Sequence, residues 1–170
     1  MIRLSARLQL VFDNLIAGED VWDFCCDHGY LGGAAYKSEL FKNVYFIDPV
    51  ASIMEKLKTH FYKFVFNEKN NSLPHFKPQL GQTIDESVKG TVSIVGVGGF
   101  LIYEILSGLA DKKLLVAQRL ILGPHRDGEK LLAMLTNNSR FNNYGLSSQK
   151  EVVENNRTRI FYIFDLKKSD

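Results

Sequence analysis

Four consecutive residues near the amino terminus could perform chemistry. Within DFCCDHGYLGG, residues 23–33, two adjacent cysteines are followed by an aspartate and a histidine, at Cys25, Cys26, Asp27 and His28. Such residues can bind a metal ion, exchange electrons or line a small-molecule site. Zinc sites usually separate their cysteines by a short spacer and add further ligands, and the chain has two cysteines in all. We therefore expect no metal centre and interpret the stretch as a ligand-binding loop.

A second loop could complete such a site. Gly29 can begin a helix whose backbone N–H groups face a ligand. Asp48-Pro49 ends a β-rich run, and Asp48 lies 25 residues beyond Asp23. A carboxylate at this position can accept hydrogen bonds from both hydroxyls of a ribose. The alternative is a plain turn at the end of a strand, but the spacing from the first loop favours ligand binding.

A third loop, GVGG at residues 96–99, follows another apolar run. Glycines after a strand can mark a tight turn without a ligand. Three glycines within four positions, including Gly96 and Gly98, instead favour the close approach of a ligand to the backbone.

These loops separate segments that alternate between strand-like and helix-like patterns. Residues 67–75 are polar and contain Pro74, which predicts a loop. Two β-rich runs flank the ENNR segment near the end and predict an antiparallel hairpin, at 147–153 and 158–166. The remaining patterns predict helices at about 5–16, 29–40, 51–64, 100–109 and from 128, and strands at 21–25, 43–48, 91–99 and 118–124.

Alternation of this kind predicts an α/β fold with a mostly parallel sheet and helices on both faces. With the terminal antiparallel hairpin, it is typical of the Rossmann-like fold of class I S-adenosylmethionine (SAM)-dependent methyltransferases. We expect a single domain over residues 1–170, with a helix of about residues 4–17 packed on or beside it. The three loops would then meet beyond the carboxyl ends of the strands, where open α/β sheets bind ligands.

The composition is that of an ordinary globular protein, with 45% hydrophobic and 24% charged residues. The net charge of +2 does not by itself require nucleic acid as a partner. No apolar run approaches the ~20 residues of a membrane span, and the amino terminus lacks the pattern of a signal peptide. Adjacent cysteines cannot join distant segments, so we expect a cytoplasmic protein without disulfides.

The motifs resemble those of a known family, the bacterial tRNA (adenine-N1)-methyltransferases that modify adenine 22, called the TrmK family. The resemblance runs in consistent order along the chain, and its most specific part is the Asp-His-Gly-Tyr-Leu core. It is carried by LSARL at 4–8, DFCCDHGYL at 23–31, GQTI at 81–84, VGVGGFLIYEIL at 95–106 and LILGP at 120–124.

The resemblance implies a SAM site but also shows departures from the family pattern. Cys25 stands in place of the usual first glycine, Val97 in place of methionine, and Gln82-Thr83 in place of Asp-Gly. The family aspartate would bind the adenine amino group of SAM, and the amide oxygen of Gln82 can still accept that bond. The implied cofactor-binding residues are Asp23, Cys25, Cys26, Asp27, Gly29, Asp48, Pro49, Gln82, Thr83, Gly96 and Gly98.

The implied acceptor is N1 of an adenine in tRNA, which must be unpaired or flipped out. Asp27 would hold the adenine amino group and accept its proton, while His28 and Tyr30 would shape the base pocket. Arg3 and Arg7, taken as one helical turn apart, could contact phosphates. The ordinary alternatives are a helix-start histidine, a packed tyrosine and a solvated helix face.

Other functions stay open at this point. The family usually has a C-terminal helical extension that this sequence does not contain, so a homodimer or a helper subunit could replace it. The acceptor could also be a small molecule or a protein. The changes at Cys25 and Gln82 allow a SAM-binding module without turnover. A dinucleotide enzyme is disfavoured because the first loop lacks G-x-G-x-x-G.

Overall fold

The computed structural model describes residues 2–168. These residues form seven strands and five helices, with short 3-10 turns at Gly81–Thr83 and Ser139–Phe141. Their order is α1 (Ala6–Phe12), β1 (Val21–Phe24), α2 (Tyr30–Ser38), β2 (Asn43–Ile47), α3 (Ala51–Phe64), β3 (Leu73–Lys77), β4 (Thr91–Val95), α4 (Gly99–Asp111), β5 (Arg119–Gly123), α5 (Gly128–Thr136), β6 (Tyr144–Glu154) and β7 (Arg157–Leu166).

All seven strands form one sheet in the order β3-β2-β1-β4-β5-β7-β6. The first five strands are parallel, and β7 runs antiparallel between β5 and β6. Asn155 and Asn156 both have positive φ, of 51° and 57°, as a type I′ hairpin turn requires. The predicted α/β fold with its C-terminal antiparallel hairpin is therefore confirmed.

Helices cover both faces of the sheet because successive strand residues point to opposite sides. Trp22 and Phe24 pack with α4 and α5 on one face. Val21 packs with α2 and α3 on the other face, and Phe46 of the neighbouring strand joins it there. Burial on both faces explains why β1 reads as a nearly continuous apolar run. No helix within residues 2–168 is both long and apolar enough to cross a membrane.

Two predicted elements differ from the structure. Residues 73–77 form the strand β3, although Pro74 had predicted a loop there. Proline is tolerated because β3 pairs only with β2 and lies at the edge of the sheet. The first helix is shorter than the expected 5–16, since it ends at Phe12. The Asn14 side chain donates a hydrogen bond to the Leu10 carbonyl, and such local bonds favour turns over helix.

Candidate functional site

The carboxyl ends of β1, β2 and β4 open onto a cleft of about 360 Å³. The strand order reverses between β1 and β4, so the cleft lies at the switch point where such sheets bind ligands. Its lining includes many of the sequence-predicted site residues: Arg7, Asp23, Cys25, Cys26, Asp27, His28, Tyr30, Asp48 and Gly96. We call this space the cofactor cleft.

The loop after β1 is wound through left-handed backbone conformations. Cys25, Asp27 and Gly29 have φ of 57°, 47° and 66°. Cys25 therefore adopts a conformation in which glycine is usual. For a residue with a Cβ atom this conformation costs roughly 1–2 kcal/mol of conformational energy. The loop is fixed at both ends, because the Cys26 N–H donates to the Ile47 carbonyl at 3.2 Å and the Gly29 N–H donates to the Cys26 carbonyl at 2.7 Å.

Asp48 joins the first two loops. Its Oδ2 atom accepts a hydrogen bond from the Asp27 N–H at 3.3 Å, and its Oδ1 atom accepts one from the Val50 N–H at 2.9 Å. The side chain is nearly buried, with 8% of the residue exposed. A carboxylate has about four lone-pair sites, so each oxygen retains capacity to accept one further hydroxyl from a ligand.

Asp23 is a buried acid at the base of the cofactor cleft, with 3% of the residue exposed. Its Oδ2 atom accepts a hydrogen bond from the Gly32 N–H at 3.1 Å. Burial raises the pKa of Asp23 from 3.8 to about 7; the Gly32 bond opposes this rise and the nearby Asp48 charge adds to it. A cation close to Asp23 would lower this pKa and favour the ionised carboxylate.

The two thiols are poor candidates for redox or metal chemistry. Burial raises the pKa of the Cys25 thiol to about 12, with further contributions from Asp48 and Asp23. Burial also raises the pKa of Cys26, which lies deeper. Since the thiolate is the nucleophile and the metal ligand, both cysteines act as small apolar side chains at neutral pH.

The mouth of the cofactor cleft carries exposed polar and aromatic groups. The Asp27 Oδ1 atom lies 3.3 Å from His28 Nδ1, and about two thirds of each side chain is exposed. The His28 and Tyr30 rings meet edge to face, with centroids 5.8 Å apart. Tyr30 is 54% exposed and begins α2. A ring exposed to this extent is available to contact a ligand, while it also packs against His28.

The loop after β4 supplies the opposite wall. Gly96 has a φ of 80°, and a Cβ atom added there would meet only the Arg7 guanidinium, at 3.8 Å. The space beside the Gly96 backbone is therefore open toward the cleft. The Gly96 carbonyl lies 2.9 Å from His125 Nδ1, and Arg7 Nε lies 3.6 Å from a Glu154 carboxylate oxygen. His125 and Glu154 come from distant segments, and no sequence pattern predicted them.

Several predicted residues lie outside the lining of the cofactor cleft. The Gln82 Nε2 atom donates to Glu104 at 2.7 Å, while its buried Oε1 atom has no hydrogen-bond partner among the described residues. Thr83 donates its hydroxyl proton to the Leu80 carbonyl. A Cβ atom added at Gly98 would meet the Arg126 side chain at 3.0 Å.

Pro49 and Gly29 also lie outside that lining. Pro49 is exposed immediately after Asp48. Gly29 caps α2, and a Cβ atom there would meet Leu57 at 2.6 Å. Gly29 is thus required for packing as well as for its left-handed φ.

The two arginines predicted to contact RNA do not share a helical face. Arg7 lies in α1 and lines the cofactor cleft, whereas Arg3 precedes the helix and lines a cavity together with residues of α2 and α3. The prediction of a one-turn pair is wrong because the helix begins only at Ala6, after Ser5 in extended conformation.

A family model described as "Methyltransferase domain" matches residues 4–163. The chain belongs to this methyltransferase domain family. No curated protein matches the chain.

Solved structures share the methyltransferase fold. An uncharacterized protein from Listeria monocytogenes serotype 4b is 23% identical with a TM-score of 0.79, covering 98% of this chain and 70% of that protein. TrmK from B. subtilis, an M1A22 tRNA methyltransferase, is 21% identical with a TM-score of 0.78, covering 98% and 68%. M. capricolum TrmK, solved with S-adenosyl-homocysteine, is 19% identical with a TM-score of 0.75, covering 97% and 70%.

Proposed function

We propose that this methyltransferase uses SAM to methylate N1 of an adenine in tRNA. The observation that carries the proposal is the convergence of Asp23, Asp48 and the Asp27-His28 pair on one cleft at the switch point of the sheet. The acceptor is supported by the similarity to TrmK structures from B. subtilis and M. capricolum. A tRNA substrate would place the protein in the cytoplasm.

The residues of the cofactor cleft fit SAM. Its volume of about 360 Å³ lies within the range of small-molecule sites. Asp48 has free lone pairs for the ribose hydroxyls, and Gly96 leaves its backbone open to a ligand. Asp23 would face the cationic methionine part, whose charge would favour ionised Asp23. When bound, SAM supplies a methyl group on a positively charged sulfonium, which is already activated for transfer.

Asp27, His28 and Tyr30 would receive the adenine. The N1 atom lies on the Watson–Crick edge, so the base must leave its stack to reach the cleft. Asp27 is exposed at the mouth and can accept a hydrogen bond from the exocyclic amino group, and later its proton. Tyr30 offers an exposed ring on which a base can stack.

A SAM-binding module without turnover is a second candidate. It is favoured by the Gln82 amide, which donates to Glu104 rather than lining the cleft.

The cofactor and the class of acceptor can be tested separately. Calorimetry should detect binding of SAM and none of NAD, and a failure to bind SAM at millimolar concentration would contradict the enzyme proposal. Labelled SAM would then be offered to unmodified tRNA, to protein and to a small-molecule extract. Label in protein or small molecules alone would identify a different acceptor, and binding without any transfer would favour the non-catalytic module. A homodimer or helper subunit stays a prediction, which sedimentation with and without tRNA would check.

A further inference from the structure

A second concavity extends from the mouth of the cofactor cleft between α2 and α3. It consists of two adjoining cavities of about 410 and 260 Å³ that share His28, Tyr30, Leu57 and His60. The larger cavity also shares Asp27 and Ile53 with the cofactor cleft. We call this surface the α2–α3 groove; beyond the shared residues its walls include Arg3, Lys37, Lys56 and Phe64.

The charge of the α2–α3 groove changes along its length. Asp27 is the one carboxylate among the described lining residues, and it lies at the end shared with the cofactor cleft. Arg3, Lys37 and Lys56 bring three cationic side chains to the remainder. A chain of phosphates leading away from the cleft would meet complementary charge along this path.

Exposed aromatic rings lie among these cations. Phe64 is 58% exposed, and its ring centroid lies 4.8 Å from that of His60. The Lys63 ammonium lies 4.9 Å from the same ring. Phe64 is not part of the buried face of α3, which includes Leu57 and Phe61. Basic side chains interleaved with accessible rings form the kind of surface that binds single-stranded nucleic acid.

We propose that the α2–α3 groove binds the single-stranded RNA segment that flanks the target adenine. This inference rests on the proposed function, since the flanking nucleotides would lead from a base held at Asp27 and Tyr30. Lys56, Lys37 and Arg3 would contact phosphates, and a base would stack on Phe64. From Ile53 to Phe64 helix α3 rises about 16 Å, which is enough for a few nucleotides.

Matched substitutions on α3 test the charged wall. Lys56→Ala should weaken tRNA binding about five- to tenfold and reduce the slope of log affinity against log salt by about one, because one phosphate contact is lost. Lys58→Ala removes an exposed lysine of the same helix that does not line the groove, and it should change neither quantity appreciably. SAM affinity, measured by calorimetry, should be equal in both variants and the wild type.

The aromatic wall needs a change that keeps apolar bulk. Phe64→Leu should weaken tRNA binding about five- to 100-fold through lost stacking. Phe64→Tyr keeps an aromatic ring and should bind tRNA like the wild type. Circular dichroism and thermal melting of each variant would verify that α3 remains folded. The methylation assay should show a raised KM for tRNA with little change in kcat, since the groove holds RNA away from the reacting atoms.

The outcomes separate this inference from the proposed function. If the wild type methylates tRNA but Lys56→Ala and Phe64→Leu bind it like Lys58→Ala, the groove inference is overturned and the function stands. The inference is also overturned if the groove variants change self-association in sedimentation while their RNA affinity is unchanged, because the groove would then be a protein interface. A wild type that neither binds nor methylates tRNA overturns both.

Discussion

Replacement of the buried Asp23 by asparagine should remove a pH dependence from both stability and cofactor binding. The pKa of Asp23 is raised by burial from 3.8 to about 7 in the folded protein. The folded chain therefore binds more protons than the unfolded chain between these pH values. The stability contributed by protonated Asp23 is fully present below about pH 4 and is lost as the pH rises through about 7.

The magnitude follows from the two pKa values. Each tenfold change in proton affinity corresponds to about 1.4 kcal/mol, so the rise from 3.8 to about 7 corresponds to about 4 kcal/mol. Because Asp23 borders the cofactor cleft, solvation from that side should reduce this penalty. We therefore expect the free energy of unfolding of Asp23→Asn to exceed that of the wild type by about 2–4 kcal/mol at pH 8. Near pH 4 the two proteins should have similar free energies of unfolding, because the amide oxygen of asparagine can still accept a hydrogen bond from the Gly32 N–H.

Urea unfolding of both proteins at pH 4.5 and 8 would measure the difference, with substitution of the exposed Asp85 by asparagine as the control. The reasoning is refuted if the gain of Asp23→Asn over the wild type is equal at the two pH values. The same carboxylate should couple to SAM. Wild-type affinity should rise by up to tenfold per pH unit below about 7 and then level off, whereas Asp23→Asn should bind SAM more weakly and without this dependence.

Three further substitutions probe the cofactor cleft. Asp48→Ala should weaken SAM binding at least tenfold in calorimetry, since it removes the ribose acceptor and the anchor of the Asp27 and Val50 N–H groups; unchanged affinity would mean that the ribose lies elsewhere. Asp27→Asn should reduce methyl transfer about 100-fold while SAM affinity stays within threefold, and loss of SAM binding would instead make Asp27 a cofactor residue. Cys25→Gly should keep the free energy of unfolding within about 1 kcal/mol, because relief of the left-handed strain is offset by greater freedom of the unfolded chain. A loss of several kcal/mol in urea unfolding would show that the Cys25 side chain, rather than its backbone, stabilises the loop.

Local patterns were sufficient to predict most of the fold. Helix α3 begins and ends where its apolar period does, and the two asparagines of the hairpin adopt the predicted turn. The loop predicted from Pro74 is instead an edge strand, because proline is excluded from central strands but tolerated at an edge. Whether a strand lies at an edge depends on the whole topology, which no short window of sequence contains.

The candidate site was predictable where the ends of parallel strands supply it and less so where other segments join it. Asp23, Asp48 and Gly96 converge as expected, because parallel strands end at one edge of the sheet. The φ of Cys25 could not be inferred, since residue type alone left both signs open. His125 contacts Gly96 and Glu154 contacts Arg7. These are tertiary contacts between distant segments, which no local pattern predicts. The placement of Arg3 on the α2–α3 groove depends on where the first helix begins, and helix ends are the least predictable part of a helical pattern.

The central claim is transfer of a methyl group from SAM to N1 of a tRNA adenine. The most direct test incubates the wild type and Asp27→Asn with labelled SAM and unmodified tRNA, followed by digestion and nucleoside analysis. The account predicts that the wild type places label in N1-methyladenosine and that Asp27→Asn places little or none there. Label in another nucleoside, or no label in RNA from a wild type that binds SAM, would contradict it.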